Sequence, residues 1–264
     1  MATLYLLPNR IADGDVEETI PTSTLNVLRN TQYFLAENAK SARAYLKAAG
    51  HPCPIAQLHI EEIGHSPEAD KIDSWLKPLI EEDLDIAIVS ESGCPGIADP
   101  GANIVARAQE LGLHVRPLVG PSSILLALMA SGLDGQHFRF LGYLPIKEPS
   151  RTEAVLAAER QSAKGETQLF IETPYRNAAF LNYLAQTVKP TTRITVALDV
   201  TGVQEMIRTK TAQEWSNDPI ELPKVPAIFA ILAQKMTVQE RQKHKNTSKS
   251  DFRGVKKLTK KTLT

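Results

Sequence analysis

The run Asp85-Ile-Ala-Ile-Val-Ser90 is apolar at alternate positions on both of its faces. The residues that follow it, Glu91-Ser-Gly-Cys-Pro-Gly-Ile-Ala-Asp-Pro-Gly101, hold three glycines and two prolines. A strand that is apolar on both faces belongs in the middle of a parallel sheet covered by helices. In open α/β sheets, ligands bind beyond the carboxyl ends of the strands. Glycines let the backbone approach a ligand closely, and prolines reduce the entropy that a loop loses on binding. Loop 90–101 therefore reads as a cofactor-binding loop. It lacks the lysine of a GxxxxGK[ST] phosphate loop and the spacing of GxGxxG, which disfavours a nucleoside triphosphate or a conventional dinucleotide.

The rest of the chain agrees with this frame. Apolar runs at 3–7, 33–36, 55–60, 85–90, 114–119, 138–141, 168–172, 194–199 and 227–232 predict strands. Amphipathic stretches at 24–30, 39–49, 67–82, 102–111, 122–131, 151–161 and 176–187 predict helices between most of them. Such alternation predicts an α/β fold with a largely parallel sheet. Ser66-Pro67-Glu68 has the form of a helix start, and Asp99 is placed to cap the helix that follows the glycine-rich loop. Gly120-Pro-Ser-Ser123 opens another helix whose free amides could hold a carboxylate or a ribose. Phe170-Ile-Glu-Thr-Pro-Tyr-Arg176 places Glu172 and Thr173 at a strand end.

Composition narrows the class. No apolar run approaches the roughly 20 residues that cross a bilayer, and the first residues lack the basic region of a signal peptide. The two cysteines, Cys53 and Cys94, lie outside any CxxC pair, so neither a metal site nor a needed disulfide is expected. These features predict a cytoplasmic protein without membrane association. The formal net charge of zero hides an asymmetry: residues 236–264 carry nine Lys/Arg and two Asp/Glu, which leaves 21 basic and 28 acidic residues in the remainder. A basic tail of this kind suits either a polyanion or simple solubility.

Several motifs in order resemble the tetrapyrrole methylase superfamily of S-adenosylmethionine-dependent methyltransferases. They are Leu4-Tyr-Leu-Leu-Pro8, Ala36-Glu37, loop 90–101, Gly120–Ser123 continuing into Ala130-Ser-Gly-Leu133, Phe140-Leu-Gly-Tyr-Leu-Pro145 and Glu172-Thr-Pro174. Within the superfamily the likeness is greatest to enzymes that methylate a cytidine ribose 2′-hydroxyl of small-subunit ribosomal RNA. The resemblance implies two α/β domains, 1–119 and 120–235, with the cofactor cleft between them, and a homodimer. It implies cofactor contacts at Pro8, Glu91, Gly93, Cys94, Ser122, Ser123, Ile124, Glu172, Thr173, Ala197, Pro226 and Ala227. Glu37 is then the candidate catalytic base, with Lys40 or Arg43 holding a phosphate, and His59 and His65 are further candidate bases.

The sequence also departs from that pattern. Glu91, Ser92, Cys94 and Ala98 replace the usual Asp, Ala, Thr and Ser of the loop. Asn9-Arg-Ile-Ala-Asp13 replaces Thr-Pro-Ile-Gly-Asn, Asn38-Ala39-Lys40 stands for Asp-Thr-Arg, and the segment 59–65 lacks Tyr-His-Glu-His. These departures leave three functions open: an RNA ribose methyltransferase, a methyltransferase acting on a tetrapyrrole or another small molecule, and a non-catalytic RNA-binding protein on the same fold.

Overall fold

A computed structural model describes residues 2–234; the basic tail at 236–264 lies outside them. The chain begins with β1 (Thr3–Leu7), α1 (Val16–Thr19), α2 (Thr22–Asn30), β2 (Tyr33–Ala36), α3 (Ala39–Ala48), β3 (His59–Glu62), α4 (Ile72–Glu81), β4 (Ile86–Val89), α5 (Ala102–Glu110) and β5 (His114–Pro117). These strands form one sheet in the order β3-β2-β4-β1-β5, and every pairing in it is parallel.

The central strand is β4, and all four of its residues are buried. Because side chains alternate across a strand, Ile86 and Ile88 pack on one face with Leu4, Trp75, Leu76 and Ile104. Ala87 and Val89 pack on the other with Leu7, Leu25, Leu28 and Leu46. Helices thus cover both faces, which is why this strand reads as a continuous apolar run.

The second part contains α6 (Ser123–Ser131), β6 (Phe138–Tyr143), α7 (Ser150–Ser162), β7 (Thr167–Glu172), α8 (Asn177–Thr187), β8 (Arg193–Leu198), β9 (Met206–Thr211), α9 (Ala212–Asn217) and β10 (Ala227–Leu232). Its sheet has the order β6-β7-β10-β8-β9. Phe170, Phe180 and Phe229 form an aromatic cluster on it. The α/β class expected from the sequence is the one found. The chain divides into two compact units, but not by a single cut at 119–120. Residues 2–130 group with 197–207 and 225–228, and residues 131–196 with 208–224 and 229–234.

Two local expectations are corrected, and one strand was not expected. Residues 55–58 are not a strand: Pro54 starts a 3-10 turn over Ile55–Gln57, closed by the Gln57 amide donating to the Pro54 carbonyl at 2.9 Å. The strand is β3, four residues further on, at the sheet edge, where its Glu61 and Glu62 are tolerated. The Ser66-Pro67-Glu68 signal does not start a helix either. It leads into a 3-10 turn at Ala69–Lys71, and α4 begins at Ile72. Strand β9 went unread because Arg208, Thr209 and Lys210 break its apolar pattern, again at an edge.

Candidate functional site

Four of the five strands of the first sheet deliver a singled-out segment from their carboxyl ends: Pro8 after β1, Glu37 after β2, loop 90–101 after β4 and Gly120–Ser123 beyond β5. Backbone contacts draw three of these segments together. The Asn9 amide donates to the Gly93 carbonyl at 2.8 Å. The buried Asn9 side chain donates from Nδ2 to the carbonyls of Ser90 (3.1 Å) and Glu91 (3.0 Å). The Cys94 thiol reaches the Pro121 carbonyl at 3.4 Å, and burial pushes that thiol up, keeping it a neutral donor. The buried Tyr45 hydroxyl donates to the Pro8 carbonyl at 2.9 Å.

Two glycines make this convergence feasible. Gly93 has φ +67°, a left-handed conformation that other residues adopt at a cost. Gly120 lies so close to Pro8 that a Cβ there would sit 2.3 Å from the proline Cγ. The result is a cradle in which main chain from these three segments converges. Such an arrangement lets a ligand approach the backbone closely. Among the expected contacts, Gly93 and Ile124 are buried, Cys94, Ser122 and Ser123 are half-buried, and Glu91 is exposed. Ser122 precedes α6, its carbonyl accepting from the Leu126 amide.

Beside the cradle lies a second group built from side chains. Glu37 is buried. Its Oε1 lies 2.6 Å from His65 Nδ1, and its Oε2 accepts from the Glu91 amide at 2.9 Å. Ligand-type atoms of Glu37, His65 and Glu91 all lie within 4.8 Å of one another. Asp99 belongs to this group as well. Burial, then the charge of Glu37, push its carboxyl up to about 7. Asp99 therefore does not cap the following helix as expected: the N-cap of α5 is Gly101, with no side-chain bond. Lys40 and Arg43 are exposed, three residues apart on the first turns of α3, which Asn38 caps through the amides of Lys40 and Ser41. His59 is elsewhere. It stands at the amino end of β3, stacked on Tyr33 with ring centroids 4.1 Å apart.

Asn9 and Asp99 were not among the site residues expected from sequence. The one signal for Asn9 was its place next to Pro8; for the union of residues 37, 65, 91 and 99 no spacing in the sequence gave a sign.

In the second part, Glu172 ends β7 and Thr173 follows it. The Glu172 carboxylate accepts from the Thr173 amide at 2.6 Å and forms an ion pair with Arg176, which also donates to Thr173 Oγ1 at 3.0 Å. Ala197 is buried within β8, Ala227 opens β10, and the Pro226 carbonyl accepts from the Asp199 amide at 2.9 Å. Both cysteines are free. Among the described residues no helix is long and apolar enough to cross a membrane.

Comparison with known proteins gives these features a setting. A family model described as Tetrapyrrole (Corrin/Porphyrin) Methylases matches residues 17–215. A protein of Micromonospora olivasterospora named ribosomal RNA small subunit methyltransferase I is 33% identical over 69% of this chain. The chain spans only 55% of that relative's length. The protein of the same name from Escherichia coli O157:H7 is 31% identical over 77% of this chain and 67% of its own. Among solved structures, a conserved hypothetical protein from Aeropyrum pernix K1 shares the fold. Its TM-score is 0.58 at 16% identity, over 90% of this chain and 87% of that one.

Proposed function

This chain belongs to the tetrapyrrole methylase family, and we propose that it transfers a methyl group from S-adenosylmethionine to a ribose 2′-hydroxyl of small-subunit ribosomal RNA. The observation that carries the reading is the main-chain cradle formed by Pro8, Asn9, Gly93 and the segment from Gly120 to Ser123, set at the carboxyl ends of a parallel sheet. The names of the relatives support the RNA acceptor.

S-adenosylmethionine, when bound, supplies an electrophilic methyl group. The chain's own residues hold, orient and handle the proton. Gly93, Cys94, Ser122, Ser123 and Ile124 line the donor side, with Pro8 beneath. Glu172, Thr173, Ala197, Pro226 and Ala227 are further contacts implied by resemblance. In-line displacement demands alignment of acceptor oxygen, methyl carbon and sulfur, and positioning alone can supply several powers of ten in rate. Exposed Lys40 and Arg43 offer charge to RNA phosphates, and the tail at 236–264 offers more. A homodimer working in the cytoplasm completes the reading.

The test is incubation with methyl-labelled S-adenosylmethionine and small ribosomal subunits from a host lacking the activity, followed by nucleoside mass spectrometry. The expected result is label on one 2′-O-methyl nucleoside. Label on an added tetrapyrrole and none on RNA would reassign the acceptor. Tight RNA binding with no incorporation would leave only a binding protein.

A further inference from the structure

A methyl acceptor hydroxyl must lose its proton, and Glu37 is the obvious carboxylate at the site. Its surroundings speak against that role. Both oxygens are already engaged, one by the His65 ring and one by the Glu91 amide, and only 5% of the side chain is exposed. His65 is the reverse, with 81% of its side chain in solvent. It follows Gly64, whose φ of +65° turns the chain sharply after β3 and brings the ring back onto Glu37. Exposed ion pairs hold a side chain weakly, but here one partner is buried and fixed by a backbone donor. Burying a carboxylate is costly unless it is hydrogen-bonded, and the His65 ring provides one of those bonds. His59 cannot substitute, since it lies at the amino end of the same strand, stacked on Tyr33.

We propose that His65 is the base that accepts the ribose 2′-hydroxyl proton, with Glu37 as the positioning residue behind it. The inference rests on the methyltransferase reading above. A neutral imidazole that donates its Nδ1–H to a carboxylate carries its lone pair on Nε2. As the 2′-oxygen bonds to the methyl carbon, its proton passes to Nε2. The pair of the broken carbon–sulfur bond stays on sulfur, converting the sulfonium to a neutral thioether. The carboxylate stabilises the imidazolium that forms. The charged and titratable groups facing His65 are Glu37, Glu91 and Asp99.

The test combines single-turnover methyl transfer across pH with NMR of the cofactor-free protein. His65→Ala is expected to slow transfer about 100-fold or more, to lose the rise of rate with pH, and to bind S-adenosylmethionine within twofold of wild type. Glu37→Gln is expected to slow transfer about tenfold, because the imidazole loses the carboxylate that fixes its orientation and tautomer. Long-range proton–nitrogen correlations should show His65 protonated at Nδ1 in wild type, and a mixture of tautomers in Glu37→Gln. Full transfer rate with an unchanged pH profile in His65→Ala would overturn the proposal and leave the methyltransferase reading standing. Loss of wild-type activity on chelation, restored by a divalent cation, would also overturn it. No transfer by the wild type would sink the reading itself.

Discussion

The cradle and the acidic cluster lie side by side at the ends of one sheet, yet they are made of different material. The cradle is main chain: Asn9 and Gly93 pair through their backbones, and Gly120 leaves room for Pro8. The cluster is side chain: Glu37, His65 and, from loop 90–101, Glu91 and Asp99 arrive from three segments and meet at carboxylates and an imidazole. The first kind of site depends on backbone shape more than on the identity of side chains. The second depends on a few functional groups. Donor binding should therefore break on steric insults, and chemistry on the loss of single polar atoms.

The largest steric insult is Gly120→Ala. Its Cβ would overlap the Pro8 ring, which cannot swing aside as a flexible chain end could. Overpacking of this kind costs about 1–3 kcal/mol, so S-adenosylmethionine affinity should fall at least about tenfold. Titration calorimetry beside a thermal melt would show whether binding falls further than stability. Next is Asn9→Ala, which removes donors from the carbonyls of Ser90 and Glu91. Groups left unpaired cost about 1–3 kcal/mol, and the same titration should read about a tenfold loss. Unchanged affinity in Asn9→Ala would show that the loop holds its shape unaided.

Asp99 probes the cluster instead. A carboxyl whose folded pKa, about 7, lies above its ordinary value of 3.8 binds its proton more tightly in the native state. The stability it contributes is complete below about pH 4 and is lost as pH rises through about 7. Asp99→Asn should match wild type at pH 4 and exceed it at pH 8 by about 1–2 kcal/mol, discounted for partial exposure. Denaturant melts at the two pH values would decide this. The smallest effect belongs to Lys40→Ala or Arg43→Ala. Each should reduce the slope of log affinity for RNA against log salt by about one, with donor binding unchanged. An unaltered slope would remove α3 from the RNA surface.

The same contrast explains what could be read in advance. Loop 90–101 was visible because glycine and proline announce backbone shape directly, and β4 because burial on both faces leaves an unbroken apolar run. The edge strands β3 and β9 were misread or missed because one-sided pairing lets Glu61, Glu62, Arg208 and Lys210 interrupt the pattern. Helix α9 went unread although Thr211-Ala-Gln-Glu214 forms a complete capping box in the structure. The Glu37–His65 pair had no local signature. The two residues are 28 apart and are joined by the parallel pairing of β2 with β3, which sequence spacing does not encode.

Titration of S-adenosylmethionine into the wild-type protein and into Gly93→Trp addresses the central claim most directly. Gly93 has φ +67°, and a Cβ there would already lie 3.5 Å from Ile11 and 3.9 Å from the Pro121 carbonyl, so an indole there should fill the cradle. Saturable heat in the wild type, weakened by at least about tenfold in the variant, is the expected result. Equal binding by both proteins, or no heat from the wild type at saturating ligand, would contradict it.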